Sequence, residues 1–287
     1  MSASTGPGTS EWDRTIFIYA SDHGYNLGQF RVDSDKTQVY DHVTRVPLLI
    51  KGPGILGSGS SAMREVAIVA SMADIAPTLL ELAVGNAAAV APDYLIDGES
   101  WAPVLNSSAG SAAETAAVAD FGRTATLIEY QPGRRQPACS KVKLTPPPRA
   151  APPTVYNISC HYHDGPNNTF SALRIISPRL GNLMYAEFVD GTDPKVTMIL
   201  LLLLLLLLPL PILLVLTFLL QGYDFDPSAI NFRELYNVSE DYYMLTNIYS
   251  TANTALKSML HSRLQKAIAC KGSAAQGGEC TAALTIL

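Results

Sequence analysis

Several common signatures are missing from this chain. No C-x-x-C pair occurs among its four cysteines, Cys139, Cys160, Cys270 and Cys280, and their wide spacing excludes a zinc ribbon. There is no long basic block and the formal net charge is -5, so nothing points to nucleic acid as a partner. An acidic chain that takes up anions needs localised cations or a metal. The opening residues, MSASTGPGTSEWDR, lack both the basic and the apolar regions of a signal peptide. The expectation is either a cytosolic protein or a chain whose true N-terminus lies elsewhere.

Other features point toward the secretory pathway. An even cysteine count suits disulfides, and the pair Cys270 and Cys280 would close a short terminal loop. Four N-x-S/T sequons stand at Asn106, Asn157, Asn167 and Asn237, each a glycan acceptor in a secreted protein. The hydrophobic content of 48% allows a sizeable core, although nine consecutive leucines, Leu200 to Leu208, inflate it.

Along the chain, Met1 to Ser10 is rich in Gly, Ser, Thr and Pro and reads as disordered. Thr15 to Ala20 and Val46 to Lys51 read as strands, the second closed by Gly52-Pro53-Gly54, and Val66 to Ala70 is a third apolar run. Asp74 is a candidate N-cap for a helix reaching about Val84, with Pro77 in its first turn and Ile75, Leu79 and Leu82 on one face. This alternation predicts an α/β fold. Residues 85 to 120, rich in Ala, Gly and Ser, read as surface loops around Ile96-Asp97-Gly98. Thr126 to Tyr130 reads as a strand, and Gln131 to Pro153 as a linker. Ala172 to Ile176, Leu183 to Val189 and Asn231 to Tyr236 predict a small antiparallel sheet. Leu256, Leu260, Leu264 and Ile268 mark an amphipathic helix over Asn253 to Ala269. The expected organisation is a core over 11–130 and a C-terminal subdomain over 131–195 and 222–287.

The densest chemistry lies between Thr15 and Gly54. Ser21-Asp22-His23-Gly24 follows the first strand directly, and open α/β sheets place ligands at the carboxyl ends of strands. Gly24 lets the backbone turn there. A carboxylate and an imidazole at a strand end, with Lys36 in the loop that follows, suit an oxyanion. His42, His161 and His163 read as solvated or hydrogen-bonded, and Arg134 with Arg135 as a solvated pair.

This segment resembles the sulfatase family. The family pattern stands here as Ser21-Asp22-His23-Gly24, Gly28-Gln29-Phe30, Asp35-Lys36, Val46-Pro47-Leu48 and Gly52-Pro53-Gly54. Further signatures follow in family order: Ala73 to Ala83 (ADIAPTLLELA), Ile96 to Ser100 (IDGES) and Phe232 to Ile248 (FRELYNVSEDYYMLTNI). The resemblance implies an incomplete sulfatase-like sheet flanked by helices, with a small antiparallel sheet and a terminal helix behind it. It implies hydrolysis of sulfate esters of sugars or aryl sulfates, in the lysosome or outside the cell. By the same resemblance Asp22 and His23 become ligands of a divalent ion, usually Ca2+, and His23 could instead contact sulfate. His23 takes a place often held by Asn, and because calcium prefers oxygen, Zn2+ or another divalent ion stays open. Lys36 matches the lysine that holds the sulfate and steadies charge on the leaving-group oxygen.

The family nucleophile is a cysteine of a C-x-P-S-R motif, converted to formylglycine, and none of the four cysteines here lies in such a motif. The early Asp-Asp pair that completes the family's metal site is also absent. The chain thus reads as the C-terminal part of a sulfatase that by itself does not turn over, with an unpaired sheet edge and poor solubility. Two alternatives stand beside this: a metal-dependent phosphodiesterase of the same superfamily, and a non-catalytic sugar-binding or membrane-anchored protein.

The apolar tract is the least ordinary element. Met198 to Leu220 is long enough to cross a bilayer. Sequons and cysteines on both sides argue against one crossing, which would leave one set in the reducing cytosol. Every residue from Val196 to Leu220 has a pyrimidine at the second codon position and Gln221 follows, as CAG would encode. A retained intron over 196–221 reads that way, with a membrane span over 198–220 as the lesser alternative.

Overall fold

The computed structural model describes residues 10–32, 35–55, 63–85, 96–132, 168–189, 225–272 and 279–286. Expectations for the first nine residues, most of the linker, Cys139, Cys160, Arg134, Arg135, Asn157, Asn167, His161, His163 and the tract at 196–221 lie outside them. The described residues are mixed α/β: a two-stranded antiparallel sheet, a four-stranded antiparallel sheet, and helices.

The small sheet pairs β1 (Phe17–Ala20) with β2 (Leu48–Lys51), in a register that sets Ile18 against Ile50 and Tyr19 against Leu49. Side chains alternate across a pleated strand, so residues two apart share a face. Leu48 and Ile50, with Ile16 just before β1, pack on a core of Ile55, Trp101, Leu105 and Phe121. On the other face Tyr19 and Leu49 are exposed. Val66 to Ala70 forms no strand, yet Ile68 and Ala70 lean on the same core. The turn α1 (Asp41–Thr44) stands before β2.

The helix α2 (Ile75–Val84) begins where the sequence expects it, but Asp74 does not cap it. Its buried carboxylate instead accepts from Ser71 N and Glu99 N and pairs with Arg123 Nη1 at 2.7 Å. The face also differs from expectation. Ile75 and Leu82 face the core with Thr78 between them, while Leu79 is exposed. The stretch read as surface loops holds two helices, α3 (Ala102–Leu105) and α4 (Ala112–Phe121). Ser111 caps α4 by accepting from Glu114 N, and its alanines are the best helix formers.

The larger sheet has the order β3 (Ala125–Tyr130), β4 (Thr169–Ser177), β5 (Gly181–Val189), β6 (Ile230–Asn237). The helix α5 (Thr254–Ala269), capped by the Asn253 side chain, lays Leu260, Leu264 and Ala267 on Leu173, Ile175, Tyr185 and Leu235. Leu256 and Ile268 flank that contact half-buried. A disulfide between Cys270 and Cys280 then leads into α6 (Cys280–Leu284), whose Leu284 joins the same core.

The chain divides into two compact units, Met1–Glu129 with Ser171–Glu187 and Arg233–Leu287, and Tyr130–Phe170 with Phe188–Phe232. The second is organised by rings in series: Tyr130 on Phe170, Phe170 on Phe188 and Phe188 on Phe232, at 5.3 to 5.6 Å between centroids.

Candidate functional site

Strand β1 ends at Ala20, and the next residues turn sharply. Gly24 N donates to Val43 O at 2.7 Å, and a Cβ on Gly24 would fall 2.0 Å from His42 O, so only glycine fits this crossing. The turn is held further by Ser21 Oγ, which donates to His23 O. Asp22 and His23 are thereby presented at the strand's carboxyl end.

The His23 ring is held through both of its nitrogens. Nδ1 lies 2.7 Å from Gly24 O, and a carbonyl only accepts, so Nδ1 carries a proton. Nε2 lies 2.7 Å from Lys36 Nζ. Asp22 Oδ2 stands 3.2 Å from that same Nε2. Asp22 is well exposed and His23 about one-third exposed, so the group opens to solvent. The structure therefore brings Asp22, His23 and Lys36 together. Among the described residues no third His, Cys, Asp or Glu joins them.

The loop between these residues is pinned from inside. Asn26 is fully buried; its N–H donates to Asp35 O at 2.7 Å, and its Oδ1 accepts from His42 Nε2 at 2.6 Å. Its Nδ2 has no partner among the described residues. Burial lowers the His42 pKa, against an upward pull from Asp41, which keeps the ring neutral. Lys36 follows Asp35, so the pairing at Asn26 sets where Lys36 leaves the loop. Sequence reasoning did not single out Asn26, because one polar residue in a loop carries no periodic signal.

The other expected positions lie apart. Asn106 is exposed at the end of α3. Asn237 ends β6 half-buried, its Oδ1 accepting from Ser239 N. Two buried charge clusters were not anticipated. Arg174 on β4 grips Asp41 through Nε and Nη2 at 2.7 and 3.1 Å, which anchors α1 and the His42 turn to the large sheet. Glu187 on β5, fully buried, accepts from Tyr185, Arg233, His261 and Gln265. Desolvation and the Glu187 carboxylate push the Tyr185 hydroxyl up strongly, so it stays a donor.

Fold and site thus define an α/β protein with a carboxylate, an imidazole and an ammonium gathered at a strand end. The family model for sulfatases matches residues 9–85, the segment that holds them. N-acetylglucosamine-6-sulfatase of Homo sapiens is 29% identical over 267 residues, covering 92% of this chain and 37% of that protein. The Bos taurus N-acetylglucosamine-6-sulfatase is 33% identical over 63% of this chain and 28% of its own length. An arylsulfatase of Volvox carteri is 27% identical over 91% of this chain and 30% of its own. Over residues 9–85 the chain matches the sulfatase family, and it spans roughly a third of the length of these curated relatives.

Proposed function

We propose that this chain carries the cation- and sulfate-binding end of a sulfatase site, and that the whole protein hydrolyses sulfate esters of sugars. The observation that supports this is the meeting of Asp22 Oδ2, His23 Nε2 and Lys36 Nζ within 3.2 Å and 2.7 Å contacts. Two ligands at about 2.1 and 2.4 Å from one ion, set at a right angle, stand about 3.2 Å apart. The Asp22 to His23 spacing fits that bite.

Asp22 and His23 would hold the divalent ion, which supplies positive charge for binding and polarising a sulfate ester. Calcium follows from the family pattern, and the imidazole donor also suits zinc or manganese. The Gly24 carbonyl keeps a proton on Nδ1, and Nε2 would ligate once the Lys36 ammonium turns from it to a sulfate oxygen. Lys36 would pair with a sulfate oxygen, where a fixed ammonium offsets charge building on the leaving-group oxygen. No C-x-P-S-R motif occurs in the 287 residues, so the chain alone should not turn over. Asn106, exposed, would carry a glycan, consistent with a lysosomal or extracellular protein of the secretory pathway.

Metal binding by the isolated chain tests this reading. Calcium should raise its melting temperature by several degrees, since a ligand at a hundred times its Kd contributes about 2.7 kcal/mol. Asp22→Ala should abolish that rise. Calcium stabilisation that survives Asp22→Ala, or clear turnover of an aryl sulfate by the 287 residues, would sink the proposal. Stabilisation by two equivalents of zinc and none by calcium would favour the phosphodiesterase reading.

A further inference from the structure

We propose that Phe30 and Tyr243, with Tyr242 beside them, form a platform on which the ring of a sulfated sugar stacks next to Lys36; this rests on the sulfate-ester reading above. The Phe30 ring lies 5.9 Å from Tyr243 at a tilt of 57°, and Tyr242 meets Tyr243 edge to face at 5.1 Å and 83°, so each ring offers a face of its own. These rings are 48%, 60% and 63% exposed, so they line a surface and do not fill a core. Each ring face carries partial negative charge. The axial C–H bonds of a pyranose carry partial positive charge, so a sugar lies flat on such a face.

The row is continuous with the site. Phe30 stands on the same loop as Lys36, and its ring is 6.2 Å from that of His42. His42 holds the loop through Asn26 Oδ1, and its carbonyl marks the crossing with Gly24, the residue after His23. On this proposal sulfate held at Lys36 and a ring resting on Phe30 are two ends of one ligand. Arg31, exposed beside Phe30, adds a cation that suits an anionic sugar.

Backbone strain supplies a second, independent observation. Among the described residues the non-glycine positions with positive φ are Phe30 at 57°, Arg31 at 64° and Met244 at 53°. All three fall on the two segments that build the row. Such conformations persist only where the surroundings impose them, and they cluster at ligand sites. A packing role would bury the Phe30 ring, whereas this backbone turns it outward.

The test titrates the chain, with calcium present, with N-acetylglucosamine 6-sulfate and separately with inorganic sulfate, by calorimetry and saturation-transfer NMR. Phe30→Ala and Tyr243→Ala should each weaken the sugar sulfate about 3- to 10-fold, the usual worth of one ring contact, and leave inorganic sulfate unchanged. Lys36→Ala should weaken both. Phe30→Gly should melt above Phe30→Ala, because glycine accepts positive φ freely, and still lose the same sugar affinity; that combination separates ligand binding from folding. Unchanged sugar affinity in both aromatic variants, with sulfate binding that still needs Lys36, overturns the platform and spares the sulfate reading. Wild-type chain that binds neither ligand overturns both. A wild-type dimer that the aromatic substitutions dissociate, with sugar affinity intact, assigns the row to self-association and also overturns the platform.

Discussion

Asp41 and Arg174 are 133 positions apart in sequence, yet they form a two-point ion pair with both side chains nearly buried. Removing one partner leaves an unpaired charge in the interior, so Arg174→Ala should cost about 3–5 kcal/mol in denaturant unfolding. The same substitution should loosen the turn that carries His42. Glu234 makes a second residue-level case, in acid–base form. Burial raises its carboxyl pKa from 4.5, with the Tyr236 hydroxyl pulling it back down. Between 4.5 and the raised value the folded chain keeps a proton that the unfolded chain has released, so stability falls as pH rises through that window. Glu234→Gln should therefore melt higher than wild type at pH 7.5 and lose that part of the pH slope; an unchanged melting profile from pH 4.5 to 7.5 would refute it. Asp22, His23 and Lys36 were legible because they sit in one contiguous motif. Asp41 with Arg174, and Asn26 with His42, were not, since only folding creates those neighbours.

At the scale of elements, periodicity marked the long helix well. Leu256, Leu260, Leu264 and Ile268 recur at helical spacing, and Asn253 caps the first turn by accepting from Leu256 N at 2.8 Å. Asn253→Ala should cost about 1 kcal/mol in thermal unfolding. The helix ends at Ala269, next to the disulfide, whose cysteines are 10 positions apart. Closing a loop of that size removes unfolded-state entropy equivalent to roughly 2.5–3 kcal/mol. The Cys270→Ser, Cys280→Ser double variant should lose about that much, read as the unfolding free energy extrapolated to water with the slope fitted for each protein. The helix α4, by contrast, escaped the sequence reading. Its SAAETAAVADF has high helix propensity but no apolar stripe, and only Phe121 is buried. Propensity without amphipathicity looks like an Ala-rich loop.

Across the whole molecule, the small sheet has one covered face and one open face. Tyr19 and Leu49 lie opposite each other across the strands, both exposed, and the Trp12 ring leans on Phe17 nearby at 4.5 Å, tilted by 46°. An apolar face beside strand edges favours association. The double substitution Tyr19→Glu, Leu49→Lys places a cross-strand ion pair there and should lower light scattering at high protein concentration; equal scattering would refute the role of this face. The sequence by itself determined the local elements and the trio at the end of β1, because strand alternation, helical spacing and the Asp-His-Gly turn are encoded within a few residues. The tertiary structure alone decided the His23–Lys36 contact, the Asp41–Arg174 anchor, the Glu187 cluster and the row of rings from Phe30 to Tyr242. Those depend on which distant segments meet, and burial rather than residue type sets whether a charge needs a partner there.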